Sequence, residues 1–306
     1  MNIIHNISEI TDKPKVITIG NFDGVHKGHQ SLIKTTKDIA DKNGVESLVF
    51  TFSKLPEEVF EKKDFNRLTD NDLKFSYIKK FNIDNTLSID FSEIREYSAK
   101  FFCEEILINK LNIKYLVIGQ NFKFGKDREG NIDTLREYHN RNEFELVMPE
   151  LEKYDDKINI SSTLIRTLLK EGKFFESKKC LGREYELHGI IKSGEKLGRK
   201  LGYPTANISL EYNYPLDGIY LSQIMIDGKY YSALSSVGNK PTYNGKEKLL
   251  EVFILDFNKD IYGKYAKVFF YEKIRNQVKF NNQDELIKQM NEDHKYAIIN
   301  SKKYGI

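Results

Sequence analysis

Two histidines three residues apart, His26 and His29, stand in the stretch GNFDGVHKGHQ, Gly20 to Gln30, directly behind the apolar run KVITI. If a helix opens near Val25, the i, i+3 spacing turns both rings to one side of its first turn. One chemistry such a pair suits is phosphate binding. A helix N-terminus carries free backbone N–H groups and the positive end of the helix dipole, and Gly24 and Gly28 let the backbone come close. The histidines would then donate N–H bonds to a triphosphate and to the charge that develops as pyrophosphate leaves. A metal site is the second chemistry, although no third ligand follows at a zinc-like spacing. Packing alone is the third reading.

Four further stretches carry reactive or ligand-binding residue types. In VIGQNFKFGKDREG, Val117 to Gly130, Asn121 offers both a donor and an acceptor, Arg128 can face phosphate, and Gly119, Gly125 and Gly130 suggest a flexible loop. A surface loop with scattered charge fits equally. ISSTLIRTLLKEG, Ile160 to Gly172, sets the hydroxyls of Ser161, Ser162 and Thr163 at another helix N-terminus. Arg166, one turn in, can clamp a phosphate oxygen bidentately, or it is a surface arginine on a capped helix. SGEKLGRKLGYPTANI, Ser193 to Ile208, spaces Gly194, Gly198 and Gly202 among lysines and Arg199 but holds no GxxxxGK[ST] loop. If its TAN is extended, Thr205 and Asn207 share a face and present two neutral oxygens suited to a magnesium ion that also bridges ATP phosphates. LLEVFILDF places Glu251 in an otherwise apolar strand. Burying an unpaired carboxylate costs on the order of several kcal/mol unless a site uses it; the alternative is a place on the strand's solvent face.

These residues need elements to hold them. From Lys15 to about Met148, strand-like runs (KVITIG, SLVFTF, NTLSID, YLVIG, FELVMP) alternate with helical ones (GHQSLIKTTKDIADKNG, DNDLKFSYIKKF, SAKFFCEEILINKL, IDTLREYHNR). Repeated β-α-β order calls for a parallel sheet with helices on both faces, with ligands in the loops that leave the carboxyl ends of the strands. GNFDGVHKGH lies at such a place. Thr69 with Asp72 resembles a capping pattern, SSTLIRTLLKEG closes on Gly172, and KFFESKKCLG reads as a short helix ending near Gly182. From Glu184 the texture changes to strands: ELHGIIK, GIYLSQIMI, YYSALSSVG, LLEVFILDF and AKVFFYEKI. Asp227-Gly228 is a two-residue hairpin signal. A small antiparallel barrel is expected, with NQDELIKQMNEDHKYAII as a terminal helix over one face or edge. The boundary falls near residue 182, giving domains 1–182 and 183–306.

At 306 residues the length favours two domains. Lys+Arg 48 against Asp+Glu 45 leaves a formal charge of +3, with no basic block of the kind nucleic acid or a membrane surface calls for. An anionic small-molecule substrate is compatible with that balance. Cys103 and Cys180 belong to no CxxC pattern, the first residues lack a signal-peptide core, and no apolar run reaches membrane-spanning length. A reducing cytoplasm is the expected compartment.

The HxGH element after a first strand resembles the HxGH nucleotidyltransferase superfamily. GNFDGVHKGHQ, VIGQNFKFGKDREG and ISSTLIRTLLKEG, in that order, resemble the three signatures of the bacterial bifunctional riboflavin kinase/FMN adenylyltransferases, also called FAD synthetases. SGEKLGRKLGYPTANI is similar to the nucleotide-binding signature of riboflavin kinases. The resemblance extends over about residues 15–300. It implies an α/β Rossmann-like nucleotidyltransferase domain, then a small antiparallel β-barrel kinase domain with a C-terminal helix. The kinase domain would phosphorylate riboflavin with ATP, and the first domain would transfer AMP to the resulting FMN, giving FAD and pyrophosphate. Gly20, Phe22, Asp23, Gly24, His26, His29, Asn121, Arg128, Ser161, Ser162, Thr163 and Arg166 would bind the ATP of adenylyl transfer. Gly194, Gly198, Arg199, Gly202, Pro204, Thr205, Asn207 and Arg275 would bind nucleotide or flavin in the kinase. Glu251 would be its general base, and Mg²⁺ would sit on Thr205 and Asn207 with the ATP phosphates. Partners would be small molecules only, with neither nucleic acid nor membrane.

The pattern departs from the family at three places. Lys54 and Leu55 replace the first two residues of a P-H-P element; Glu251 is followed by Val252 and Phe253 where V-H is usual; and Gln277 stands where glutamate is frequent, two residues after Arg275. These leave two other expectations open, a monofunctional riboflavin kinase with a degenerate first domain and a non-enzymatic flavin-binding regulator.

Overall fold

The computed structural model describes residues 1–155, 158–193, 203–242 and 245–306, with the side chains of 239–247 outside the description. The chain forms two compact units, Met1–Phe65 with Thr69–Ser162, and Asn66–Leu68 with Thr163–Ile306.

In the first unit β1 (Asn2–Ile4), β2 (Lys15–Ile19), β3 (Glu46–Lys54), β4 (Asn85–Asp90), β5 (Ile113–Val117) and β6 (Glu145–Val147) make a parallel sheet of order β1-β4-β3-β2-β5-β6. Strand alternation divides its apolar residues between two cores. Ile17, Leu48, Phe50 and Leu116 pack with Phe102, Leu107 and Leu135. Val49 packs with Ile33, Leu73 and Ile78, and Val16 and Val117 with Leu32 and Ala40, of α1 (Lys27–Asn43) and α3 (Asn71–Lys79). Both faces are therefore covered by helices, as parallel strands require. β2 has β3 on one side and β5 on the other, so the chain order reverses at β2. The turn after β2 leaves its carboxyl end at that crevice, where open α/β sheets bind ligands.

Three details differ from the sequence expectations. The short edge strand β1, paired in parallel with β4 from Asn2↔Asn85, carries too few residues to show a period. Thr69 does not cap α3; Asp70 does, its side chain accepting from Leu73 N–H at 2.8 Å. The helix expected over SAKFFCEEILINKL begins as α4 (Ala99–Phe101) and widens to a π-type helix over Phe102–Lys110, where Leu111 N–H donates to Ile106 O at 2.9 Å. Its buried residues Phe102, Ile106, Leu107 and Leu111 recur every four to five positions, and the wider coil stacks them on one face. Between these lie α2 (Pro56–Val59) and, later, α5 (Ile132–Asn140).

α6 (Ser162–Lys170) and α7 (Phe174–Leu181) lead to the strands of the second unit. There β7 (Tyr185–Lys192), β8 (Thr205–Ser209), β9 (Gly218–Ile226), β10 (Lys229–Thr242), β11 (Gly245–Ile254) and β12 (Tyr265–Arg275) close an antiparallel barrel in the order β10-β11-β8-β7-β12-β9. Asp227 at φ 51 and Gly228 at φ 75 form the hairpin turn between β9 and β10, the left-handed pair that a type I′ turn needs. Alternate residues Leu250, Val252 and Ile254 of β11 and Ala266, Val268 and Phe270 of β12 are buried. The remaining helix, α8 (Gln283–Ser301), packs Ala297 with Leu221, Leu234 and Leu255. Among the described residues no helix is long and apolar enough to cross a membrane.

Candidate active sites

The first site is one turn. β2 delivers Gly20, whose N–H donates to Phe50 O at 3.1 Å, and the chain then passes through left-handed conformations at Phe22, Gly24 and Val25. It enters α1 with His26 as the N-cap. Nδ1 of His26 accepts from the His29 N–H at 3.3 Å. An accepting Nδ1 leaves the ring proton on Nε2, so the capped histidine keeps an N–H donor. The two imidazoles lie face to face, centroids 3.6 Å apart and 19° from parallel, and Phe22 sets its ring edge against His29 at 5.1 Å. Gly28 permits this: a Cβ there would lie 3.2 Å from His26 Cε1.

Stacked rings do not converge their lone pairs on one point, which disfavours the metal reading. Among the described residues no group of three His, Cys, Asp or Glu side chains is placed to hold an ion.

The ISST stretch meets this turn. Ser162 Oγ donates to Asp23 O at 2.8 Å, and Ile160 O lies 3.8 Å from where a Gly28 Cβ would stand, so Ser161 and Ser162 follow a backbone that runs beside the first turn of α1. Thr163 and Arg166 count with the second unit, where Arg166 Nε donates to Asn66 O at 2.6 Å. Asn121 and Arg128 are exposed on their loop. Gly125 and Gly130 of that loop do not serve flexibility, contrary to the sequence expectation, whereas at Gly119 a Cβ would make only an ordinary 3.5 Å contact with Leu151. A Cβ on Gly125 would meet Ala99 N at 2.7 Å, and one on Gly130 would meet Phe124 Cζ at 2.7 Å, so both allow close packing. Asp23 does not face outward either: its carboxylate is 2 % exposed and accepts from the Thr69 N–H at 3.0 Å. Of the departures, Leu55 is buried in the main core and Lys54 is exposed.

The second site is spread over strands. In the register of β11 with β8, Glu251 lies directly opposite Asn207 and Phe253 opposite Thr205. Ala206 and Ile208 are buried toward the barrel interior, which turns Thr205 and Asn207 to the face that carries Glu251. On its other side Glu251 pairs with Ser236 of β10. Thr205, Ser236, Glu251 and Phe253 line a cavity of about 250 Å³ whose walls also include Arg275 at the end of β12, Gln277, Val278 and Phe280 after it, and Leu286, Met290 and Asp293 of α8. Glu251 is thus half-buried on an outward face that α8 roofs over, neither inside the barrel nor in open solvent.

Side chains tie that roof to the barrel. Arg275 donates from Nε to both Asp293 oxygens at 3.0 and 3.1 Å, from Nη2 to Oδ2 at 2.7 Å, and from Nη1 to Asn276 O. Tyr203, just before Pro204 at the entry to β8, donates to Asn291 Oδ1 at 2.6 Å and packs on Phe253 and His294. Burial, with the Asp293 charge second, raises the Tyr203 pKa and keeps its hydroxyl a donor. Gln277 Nε2 donates to Ser236 Oγ at 3.2 Å and to Val237 O at 3.4 Å. Gly194, Gly198, Arg199 and Gly202 lie outside the described residues. Sequence reasoning missed Asp293, Tyr203, Asn291 and Ser236. Asp293 alone left a trace, standing four and eight residues before the buried Ala297 and Ser301.

Comparison with known proteins gives one answer for both units. The family model described as FAD synthetase matches residues 8–164, and that described as riboflavin kinase matches residues 181–299. A bifunctional riboflavin kinase/FMN adenylyltransferase of Buchnera aphidicola (subsp. Schizaphis graminum) is 40% identical over 95% of this chain and 95% of its own length. Its namesake in Haemophilus influenzae is 35% identical over 95% of each chain. That of Escherichia coli K12 is 32% identical over 95% of this chain and 94% of its own. A crystal structure from Streptococcus pneumoniae, described as a macrolide-efflux protein, superposes with a TM-score of 0.80 at 32% identity, over 96% of this chain and 97% of that one. Its description differs from those of the curated relatives; the fold is the same.

Proposed function

The chain belongs to the bifunctional riboflavin kinase/FMN adenylyltransferase family, and we propose that its two reactions run at the two sites just described, FMN formation at the strand cavity and FAD formation at the histidine turn. As in its family, it makes FAD from riboflavin with ATP, first as phosphoryl donor and then as adenylyl donor. Residues 1–182 and 183–306 are our functional division. With both catalytic halves matched, a monofunctional kinase and a non-enzymatic regulator are not favoured. A cytoplasmic location is part of this proposal: the sequence holds two cysteines, Cys103 and Cys180, in no CxxC pattern.

For the kinase the carrying observation is the register that sets Glu251 opposite Asn207, with Thr205 on the same face. Two neutral oxygens beside one carboxylate suit a hard cation whose remaining ligands are phosphate oxygens. Thr205 and Asn207 would hold Mg²⁺, which would neutralise charge on the ATP phosphates. Glu251 takes the proton of the primary alcohol on the ribityl chain as that oxygen attacks the γ-phosphorus and ADP leaves. The apolar walls of the cavity, Val278, Phe280, Leu286 and Met290, suit a flat flavin ring and exclude water.

For adenylyl transfer no base is needed, because an FMN phosphate oxygen is already an anionic nucleophile toward the α-phosphorus. Pyrophosphate leaves. His26, through Nε2–H, and His29 stabilise the charge that develops, while the opening N–H groups of α1, with Ser161 beside them, receive the phosphates. Thr163, Arg166, Asn121 and Arg128 belong to this ATP by motif.

The test is a pair of half-reactions. Glu251→Gln incubated with riboflavin, ATP and Mg²⁺ is expected to yield no FMN by chromatography, yet to convert supplied FMN to FAD at the parent rate. Equal loss of both activities would refute separate centres.

A further inference from the structure

The histidine turn is held in a conformation that its own residues disfavour. Phe22 is at φ 48 and Val25 at φ 37; neither has glycine's freedom, and for a β-branched residue such a φ is a true outlier. Such geometry persists only where the surroundings over-determine it. Here a residue 45 positions beyond Gly24 does so. Asp23 Oδ1 accepts from both the Thr69 N–H, at 3.0 Å, and the Thr69 hydroxyl, at 3.4 Å. The same hydroxyl oxygen accepts from the Gly24 N–H at 3.1 Å. Thr69 is 4 % exposed and stands just before α3, whose cap is Asp70, so its side chain is not spent on the helix.

We propose that Thr69 is a positioning residue for adenylyl transfer: its hydroxyl, donating to Asp23 and accepting from Gly24, clasps the strained turn so that His26 and His29 meet the reacting phosphate. The physical requirement is specific. Only a hydroxyl both donates and accepts at one atom, and the clasp spans the two residues between the outliers Phe22 and Val25. His26 is the next residue, and its Nδ1 is bonded to the His29 N–H. A turn that relaxes toward negative φ therefore moves both imidazoles together. The inference rests on the adenylyl reading of this turn.

Thr69→Val keeps the shape and removes both bonds. The account expects kcat for conversion of supplied FMN to FAD to fall about 10- to 100-fold, the scale of a misplacement near 1 Å, with the KM for ATP moving less than about threefold by the same reasoning. Thr69→Ser, which keeps the hydroxyl, should restore most of the rate. Riboflavin phosphorylation by the same preparations and the melting temperature report whether the chain is folded. The decisive readout is a cycle with His29→Asn: because Thr69 acts through the histidines, Thr69→Val should cost less in that background, where only His26 remains to be misplaced, than in the parent. A parental rate for Thr69→Val, a serine as damaging as the valine, or the same fold-loss with and without His29 would each overturn the proposal while leaving the site assignment standing. A parental rate for His29→Asn alone would remove the assignment itself, and the proposal with it.

Discussion

One turn gathers the site proposed for adenylyl transfer, whereas three strands and a helix gather the site proposed for the kinase. In the first, Gly20 to His29 supply backbone, donors and strain within ten consecutive residues, and hydrogen bonds with Thr69 and Ser162 hold the shape. In the second, Glu251, Asn207 and Ser236 meet only because β8, β11 and β10 are paired in a given register, and α8 closes the cavity through the Arg275–Asp293 ion pair. The contrast is one of tolerance. A turn fails by small displacements of its own backbone, and a strand-borne site fails by losing its register or its roof.

Substitutions can break this contrast. The largest effect is expected at the turn itself: His29→Ala should lower FAD formation from FMN by about 10²- to 10³-fold, the usual loss for one donor to a developing charge, while FMN formation proceeds. Next is the roof. Asp293→Asn leaves a half-buried Arg275 with half its partner, and since breaking a fully buried pair costs about 3–5 kcal/mol, the loss here should be smaller than that. We expect a lower unfolding midpoint for the second unit and a raised KM for riboflavin, with adenylyl transfer intact. If adenylyl transfer falls in parallel, the two sites are not independent.

Smaller changes sharpen the account. Gly28→Ala brings a methyl group within 3.2 Å of the His26 ring, and the shift it forces should slow FAD formation about tenfold without touching the kinase. Gln277→Glu removes the amide donor that bonds Ser236 Oγ and Val237 O and turns an acceptor toward a carbonyl. A loss of about 1 kcal/mol should appear as a modest rise in riboflavin KM. An unchanged KM would show that Gln277 does not fix the rim.

What could be read in the sequence follows the same division. The place of the turn was legible because its signal is contiguous: two histidines, two glycines and an apolar strand before them mark a turn at a sheet's carboxyl edge, while phosphate, metal and packing all fitted the residues. Thr205 and Asn207 were legible as a shared face, since period two is a local property. That Glu251 would lie opposite Asn207 was not, because register is set by closing the barrel and no local pattern records it. Thr69 was misread as a cap: threonine before a helix commonly caps, and only tertiary structure brings Asp23 to its side. The π-type coil at Phe102–Lys110 stayed hidden because its apolar residues also satisfy an ordinary helical pattern. Gly125 and Gly130 suggest flexibility in the sequence because nothing local records the neighbouring atoms at 2.7 Å that leave no room for a side chain.

The central claim is that FMN formation and FAD formation have separate chemical centres on one chain. Its most direct measurement is the crossed half-reaction: Glu251→Gln and His29→Ala, each assayed for riboflavin phosphorylation and, with FMN supplied, for FAD synthesis. The account predicts that Glu251→Gln loses only the first and His29→Ala only the second. Loss of both reactions in either folded variant would contradict it.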